Sequence, residues 1–211
     1  AIASRTQRPI AIWSGEWGYN TAWSGITDTA QAKCLSRMIV NNLSQGIELS
    51  IWFSTHPFAE DASQPENPQW GLVDYQYNPR PAWYAMRALN QRLPAPVRHV
   101  AAPFGAVLSP SLSNSRLEFF ERGDSRHLTL AVWLARWPAR DSFTGSLSNL
   151  YLATPGGTQF QAFDGLTGNP VTLSVSRAGD QAILANLRVM DYPLFIEITL
   201  PPPPRNGLLV R

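Results

Sequence analysis

The sequence contains few of the residues that cross-link a chain or bind metals: one cysteine and three histidines among 211 residues. The single cysteine, Cys34, excludes an internal disulfide and a cysteine-based zinc site. His56, His99 and His127 do not have the spacing of metal ligands, and there is no glycine-rich phosphate loop. We therefore predict that the protein uses no metal and no cofactor.

Charged residues and long apolar runs are also scarce. Charged residues make up 15% of the chain, the net charge is +2, and the basic residues form no continuous run. This distribution provides no footprint for a polyanion, so we predict no nucleic-acid partner. No apolar stretch approaches the roughly 18 residues needed to cross a bilayer, so we predict no membrane partner. The hydrophobic share of 44% indicates a globular chain.

The chain changes character near LPAPV, at residues 93–97. Before this point the signals for helices and strands alternate, whereas after it short β-rich runs follow one another between clusters of Gly, Pro, Asn and Asp. We predict two domains, residues 1–93 and residues 94–211, the second ending in a Pro-rich tail that is expected to be mobile.

The first region starts with PIAIWSGEWGYN, in which an apolar run is followed by an acid, Glu16. Pro9 to Ser14 is predicted to form a strand, and its period of two places Ile10, Ile12, Ser14 and Glu16 on one face. Such a strand would deliver a functional carboxylate to its end. A solvated glutamate in a turn is the alternative.

Helix and strand signals then alternate. Asp28, with Gln31 three residues later, is typical of a capping box that opens a helix, and Gly46 would end that helix. The segment IELSIWFST predicts a strand with an apolar outer face covered by helices and a mixed inner face, as in a barrel. PAWYAMRALNQRL predicts a second helix with Pro81 in its first turn. The outer face would consist of Ile47, Leu49, Ile51 and Phe53.

The second region contains runs such as RLEFFE, HLTLAVWLA, SNLYLAT, QFQAFDG, VTLSVS, QAILANL and LFIEITL, separated by turn signals. Short runs at this spacing are typical of an antiparallel β-sandwich. Trp133 and Trp137 could bind polysaccharide if they are exposed, but alternation along the run favours a core position for Trp133.

The segments PIAIWSGEWGYN, AKCLSRMIV, GIELSIWFSTH and WGLVDYQYNPRPAWYAMRAL, taken in order, resemble the last quarter of the (βα)8 retaining glycoside hydrolases of the large clan with cellulase-like and β-xylosidase-like families. The resemblance covers about residues 9–93. It implies the last two βα units of a TIM barrel followed by a C-terminal antiparallel β-sandwich. It also favours a secreted or periplasmic location.

The resemblance implies roles for particular residues. Glu16, inside an EWG triplet, would be the catalytic nucleophile, whereas the acid/base glutamate of the family, which follows an Asn at the end of the fourth strand, is missing from this chain. The residues implied to bind substrate are Trp52, Trp17, Tyr19, His56 and Glu66. Burial between barrel and helices remains open for Trp52, ordinary packing for Trp17 and Tyr19, and a structural loop role for His56.

The implied function is part of a retaining glycoside hydrolase that cleaves β-glycosidic bonds in oligo- or polysaccharides. A barrel needs about 250 residues, and the chain begins with AIASR, without an initiator Met or a signal-peptide pattern. We therefore expect its partners to be a carbohydrate substrate and the missing N-terminal barrel fragment or another chain. A non-catalytic carbohydrate-binding or accessory protein and a purely structural piece remain as alternatives.

Overall fold

The computed structural model describes residues 11–22, 25–47, 49–57 and 70–203. The first region contains, in chain order, β1 (Trp13–Trp17), α1 (Asp28–Ser44), β2 (Leu49–Trp52) and α2 (Pro81–Arg92). β1 and β2 pair in parallel and form a sheet of two strands. The predicted order of strand, helix, strand and helix is confirmed for the described residues, and so is the place of Pro81 in the first turn of α2.

The first strand lies further along the chain than predicted. The strand expected from Pro9 to Ser14 begins outside the described residues, and β1 itself contains Glu16. Its pairing with β2 passes from Ser14 opposite Ser50 to Glu16 opposite Ile51, so that Gly15 is an extra residue in the ladder. The bulge interrupts the period of two. Strict alternation therefore does not place Ser14 and Glu16 on one face, as the sequence predicted.

The prediction for the two faces of β2 is wrong. Leu49 is 41% exposed and Ile51 is 50% exposed, whereas Trp52 is 9% exposed and packs in a cluster with both helices. The Oγ atom of Ser50 accepts a hydrogen bond of 2.9 Å from Nδ2 of Asn42 in α1. The helices therefore cover the mixed face and leave the apolar one open. The exposed apolar residues in or beside the two strands are Ile12, Trp13, Leu49 and Ile51.

Helix α1 begins and ends almost where the sequence predicts, but its N-terminal cap differs. Thr27 is the capping residue, and its Oγ1 accepts a hydrogen bond of 3.0 Å from the backbone N–H of Ala30. Gln31 donates instead to the backbone oxygen of Tyr19 at 2.6 Å. Gly46 has a φ of +76°, the left-handed conformation that favours glycine just past a helix end.

The second region consists of strands in two antiparallel sheets, one ordered β10-β11-β7-β4 and the other β3-β5-β6-β12-β8-β9. The prediction of an all-β region with short strands is confirmed for residues 97–199, although β3, β4 and the break between β9 and β10 were not predicted. The strands are β3 (Val97–Val100), β4 (Ala106–Ser109), β5 (Ser115–Arg122), β6 (Asp124–Leu134), β7 (Ser146–Ala153), β8 (Gln159–Asp164), β9 (Pro170–Val171), β10 (Ser174–Ala178), β11 (Gln181–Val189) and β12 (Leu194–Thr199).

The two antiparallel sheets share one hydrophobic core. Leu150 and Leu184 of the four-stranded sheet belong to the same buried cluster as Leu130 and Ile196 of the six-stranded sheet. In β7, buried residues alternate with less buried ones at positions 148–152, as expected for a strand with one face toward a core. The second region thus buries a substantial apolar interior of its own.

A second buried cluster crosses the boundary between the two regions, and we call this contact the seam. Leu35 of α1 and Ala85 of α2 pack with Phe120, Trp133 and Phe195 of the six-stranded sheet. The core position predicted for Trp133 is confirmed, because it is buried in this cluster. The helices therefore lie between the two-stranded sheet and the β region and pack against both.

A buried ion pair also holds the seam. Nζ of Lys33 in α1 lies 2.9 Å from Oδ1 of Asp191, which follows β11, and the two side chains are 3% and 1% exposed. The same Nζ donates a hydrogen bond of 2.7 Å to the backbone oxygen of Arg140. Because both charges are out of water, each depends on the other for compensation.

The lone cysteine, Cys34, is buried in α1, and burial raises the pKa of its thiol to about 11. Since the thiolate is the nucleophile in alkylation, we expect iodoacetamide at pH 8 to modify Cys34 at least about tenfold more slowly than a cysteine in an unfolded peptide. Mass spectrometry over time measures the rate, and chain unfolded in guanidinium is the control. Equal rates in the folded and unfolded chain would contradict this burial.

Candidate active site

The candidate nucleophile Glu16 lies near the carboxyl end of β1 and is exposed. It stands opposite Ile51 in a parallel pair, so the carboxyl ends of both strands meet on the same side of the sheet. Among the described residues, no group forms a hydrogen bond or an ion pair with its carboxylate. The carboxylate is therefore available to a ligand that approaches this end of the sheet.

Two glycines that flank Glu16 determine the path of the backbone. Gly15 provides the extra residue of the bulge. Gly18 lies so close to the end of β2 that a Cβ atom there would be 2.2 Å from the backbone oxygen of Phe53. The backbone N–H of Phe53 also donates to the oxygen of Trp17 at 2.8 Å. Only glycine allows this approach at position 18, which ties the loop after β1 to the loop after β2.

Three of the predicted substrate-binding aromatics form one cluster on the helix-covered side of the two-stranded sheet, where Trp17 pairs with Trp52. The ring centroids of Trp17 and Trp52 are 5.1 Å apart with an interplanar angle of 81°, and Tyr19 lies 6.5 Å from each of them. Nε1 of Trp52 donates a hydrogen bond of 3.1 Å to the backbone oxygen of Trp70. Trp17 and Tyr19 are half-buried, whereas Trp52 is buried against the helices, the position given by the alternative of burial between barrel and helices.

His56 follows β2 and lies in contact with two tyrosines of the next loop. Its ring stacks on Tyr77, with centroids 4.2 Å apart and planes inclined by 25°. Its Nε2 is 3.4 Å from the backbone oxygen of Tyr75. These contacts fix the ring in the loop, in keeping with the structural alternative. The other predicted ligand in this part of the chain, Glu66, lies outside the described residues.

Arg80 is an organising residue that the sequence did not reveal. It is 5% exposed, and its guanidinium donates to the oxygen of Gly71 at 2.9 Å, to Oγ1 of Thr21 at 3.2 Å and to Oδ1 of Asp28 at 2.6 Å. One side chain thus joins the loop after β1, the start of α1 and the loop before α2. The only signal in the sequence is its position before Pro81 at the start of a helix, which does not indicate burial.

The other described carboxylates after the two strands are already engaged. Asp28 pairs with Arg80. Asp74 accepts hydrogen bonds from Gln76 and Asn78, and the bond from the Asn78 side chain is the main reason that the pKa of Asp74 lies below its usual range. Asp74 holds local backbone structure, and Asp28 links the start of α1 to Arg80. Within the described residues, Glu16 is the only carboxylate in or after these strands that is left to act on a ligand.

Neither a metal-ligand cluster nor a membrane-spanning helix occurs in the described part of the chain. No three histidine, cysteine, aspartate or glutamate side chains come together there as metal ligands would. Neither α1 nor α2 combines the length and apolar character that a membrane-spanning helix needs.

No protein-family profile and no curated protein matches the sequence. Among solved structures, the chain is similar to the catalytic domain of GH30 xylanase C from Talaromyces cellulolyticus, with a TM-score of 0.57 and 12% sequence identity. The similarity covers 92% of this chain and 42% of that one. The chain therefore shares the fold of part of a glycoside hydrolase catalytic domain, spans less than half of its length, and matches it across both regions.

Proposed function

We propose that the chain is the C-terminal part of a retaining glycoside hydrolase that cleaves β-glycosidic bonds in oligo- or polysaccharides, with Glu16 as the nucleophile. The observation that carries the proposal is the exposed, unengaged carboxylate at the end of a parallel strand pair, in a chain with the fold of part of a xylanase catalytic domain. Carboxyl ends of parallel barrel strands are where catalytic groups of such enzymes stand.

The chemistry requires a second carboxyl group. In a retaining reaction, the nucleophile attacks the anomeric carbon while an acid about 5 to 5.5 Å away protonates the leaving oxygen, and water later releases the glycosyl-enzyme ester. Glu16 fits the first role because its carboxylate has no structural partner among the described residues. We assign the acid/base role to a glutamate in the barrel portion that would precede this chain.

The exposed apolar face of the two-stranded sheet supports the proposed architecture. Residues 1–93 would supply the last two βα units of a TIM barrel, and residues 94–211 would form a β-sandwich domain packed on its helices. The two-stranded parallel sheet supports this arrangement, since its apolar residues Leu49 and Ile51 are exposed and parallel sheets are normally covered on both faces. The covering strands would come from the missing N-terminal barrel fragment.

The proposed substrate contacts divide into direct and supporting ones. Trp17 and Tyr19 follow Glu16 in the chain, are half-buried and would present ring edges to the sugar, while Trp52, buried against the helices, would hold Trp17 in place. His56 would form a hydrogen bond with a sugar hydroxyl, and Glu66, which lies outside the described residues, would be a further substrate ligand. Because the similar structure is that of a xylanase, xylan is the first polysaccharide to test.

The partner proposal predicts an assembly. We expect the chain to form a one-to-one complex with the polypeptide encoded immediately upstream of it, and xylan to be hydrolysed only when both portions are present. Intact mass and solution size by light scattering measure the complex. Ile51→Asp should weaken assembly because it places a charge on the uncovered apolar face, while Val107→Asp, at an exposed apolar position in β4, is the matched control.

Two outcomes would contradict the assembly. A chain that remains monomeric in the presence of the upstream polypeptide would show that the exposed strands need no cover. Equal effects of Ile51→Asp and Val107→Asp would show that the first region has no special role in association.

A non-catalytic carbohydrate-binding or accessory protein is the second candidate. It is favoured by the absence of a second unengaged carboxylate after β1 and β2 in the described part of the chain. Sugar binding without hydrolysis by the complete gene product would support this candidate and overturn the first.

A further inference from the structure

The seam contains a cavity whose lining, apart from Tyr19, has no part in the proposed hydrolase function. Its volume is about 190 Å³, and it opens between the middle of α1 and the end of β6. Residues from four parts of the chain meet there, since the loop after β1 and strand β5 also contribute. The polar and aromatic side chains of its lining are Tyr19, Arg37, Asn41, Arg116, Trp133 and Trp137.

Among the described residues, the cavity carries positive charge without a matching carboxylate. No described aspartate or glutamate contributes to its lining, whereas two arginines do. Burial raises the pKa of Tyr19 and of Cys34, so both groups are neutral at pH 7. Asp191, the carboxylate that follows β11, is already paired with Lys33. The charge inside the cavity is therefore that of Arg37 and Arg116.

The two arginines differ in how they are held. Nη1 of Arg37 donates to the backbone oxygen of Arg136 at 2.6 Å, which orients its guanidinium and leaves further N–H groups for a ligand. The guanidinium of Arg116 has no hydrogen-bond partner among the described residues and is exposed. Such a pair can present planar forks of donors, the arrangement that suits a carboxylate.

The cavity also has an exposed aromatic wall. Trp137 is 65% exposed, although Trp133, only four residues earlier, is buried in the core. Its ring lies 6.3 Å from that of Tyr19. The exposed ring offers an apolar surface to a ligand in the cavity. Aromatic rings of this kind stack on the apolar faces of sugars, and the amide of Asn41 can exchange hydrogen bonds with hydroxyl groups.

We propose that this seam cavity binds a sugar ring that carries a carboxylate, such as a uronate unit of a polysaccharide. The carboxylate would lie between Arg37 and Arg116, and the ring would lie against Trp137. The cavity shares Tyr19 with the loop after β1, but the residues proposed to hold the ligand lie on α1 and in the β region, so its occupation does not depend on whether Glu16 acts in catalysis. It would give the protein a second point of contact with an acidic polysaccharide.

The test is a titration of the 211-residue chain with D-glucuronate, followed by NMR, with D-glucose as the uncharged counterpart. We expect glucuronate to bind, to bind more weakly as salt rises, and to lose about tenfold in affinity in Arg116→Gln and in Trp137→Ala. Both side chains are exposed, so neither change should unfold the chain. Arg87→Gln and Trp83→Ala, at exposed positions of α2, are the matched controls.

Each outcome decides the proposal. Loss of glucuronate binding in both seam variants, with unchanged binding in the α2 controls, supports it. Failure of glucuronate to bind, or equal binding by the wild type and both seam variants, overturns it. Equal affinity for glucose and glucuronate overturns the assignment of an acidic ligand. Glu16→Gln should bind glucuronate as the wild type does, which separates this result from the test of the nucleophile.

Discussion

Replacing Asp191 with asparagine is expected to lower the free energy of unfolding by about 3 to 5 kcal/mol, the range found when one partner of a buried ion pair is removed. The substitution keeps the shape of the side chain but leaves the ammonium group of Lys33 buried without its counter-charge. The hydrogen bond from Lys33 to the oxygen of Arg140 satisfies one proton only. Urea unfolding followed by far-UV circular dichroism measures the change.

A double variant that removes both charges tests whether the uncompensated charge causes the loss of stability. Lys33→Met combined with Asp191→Leu removes both charges, and we expect the double variant to be more stable than Asp191→Asn because no uncompensated charge is left. The control is Arg98→Gln, which breaks a pair with Glu121 whose arginine side chain is 75% exposed. An exposed pair of this kind contributes at most about 1 kcal/mol. If Asp191→Asn costs no more than Arg98→Gln, the buried pair does not hold the seam.

Replacing Glu16 with glutamine is expected to leave the fold intact and to abolish catalysis in the complete polypeptide that carries this chain. The side chain is exposed and has no partner among the described residues, so its loss should change stability by less than about 0.5 kcal/mol. A glutamine amide cannot attack the anomeric carbon, and removal of an enzymatic nucleophile typically lowers kcat by roughly 10⁴-fold or more.

The control for this prediction is Asp180→Asn, which removes an exposed carboxylate from the turn between β10 and β11. It should retain wild-type kcat and KM. Small nucleophiles provide a further check: azide should partly restore turnover to Glu16→Ala, because an anion can occupy the space that the carboxylate leaves. Turnover by Glu16→Gln close to that of the wild type would mean that another group attacks the sugar.

The order of the first elements could be predicted because each is marked locally. Gly46 marks the end of α1, Pro81 marks the start of α2, and the short apolar runs mark most strands of the β region. Local signals of this kind depend on residues within one or two turns of each other. Glu16 could also be identified from its neighbours in the sequence, because glycines lie beside it. In the structure these glycines form a bulge and a close approach to β2.

The faces of β2 could not be predicted from the strand alone. Leu49 and Ile51 carry the apolar pattern of a buried face, yet the helices pack on Ser50 and Trp52. In a strand that is apolar on one face and aromatic on the other, the pattern does not say which neighbour covers which side. That choice depends on the packing of α1 and α2, which lie elsewhere in the sequence.

The residues that join distant segments could not be predicted from the sequence either. Arg80 contacts Thr21 and Asp28, and the seam cavity brings Tyr19 together with Arg116 and Trp137. No fixed spacing links these positions, because they meet only after the β region has packed against α1. The motif near Glu16 is therefore the basis of a predicted site, whereas the contacts among these distant segments required the three-dimensional structure.

The most direct test of the central claim is to trap the glycosyl-enzyme ester. The complete polypeptide is incubated with an activated 2-fluoro-β-glycoside, which forms the ester readily but is released slowly, and is then digested and sequenced by mass spectrometry. The proposed mechanism predicts one added glycosyl group, attached to the peptide that contains Glu16 and absent from Glu16→Gln. A label on a different carboxylate, or hydrolysis with no label on any residue of this chain, would contradict it.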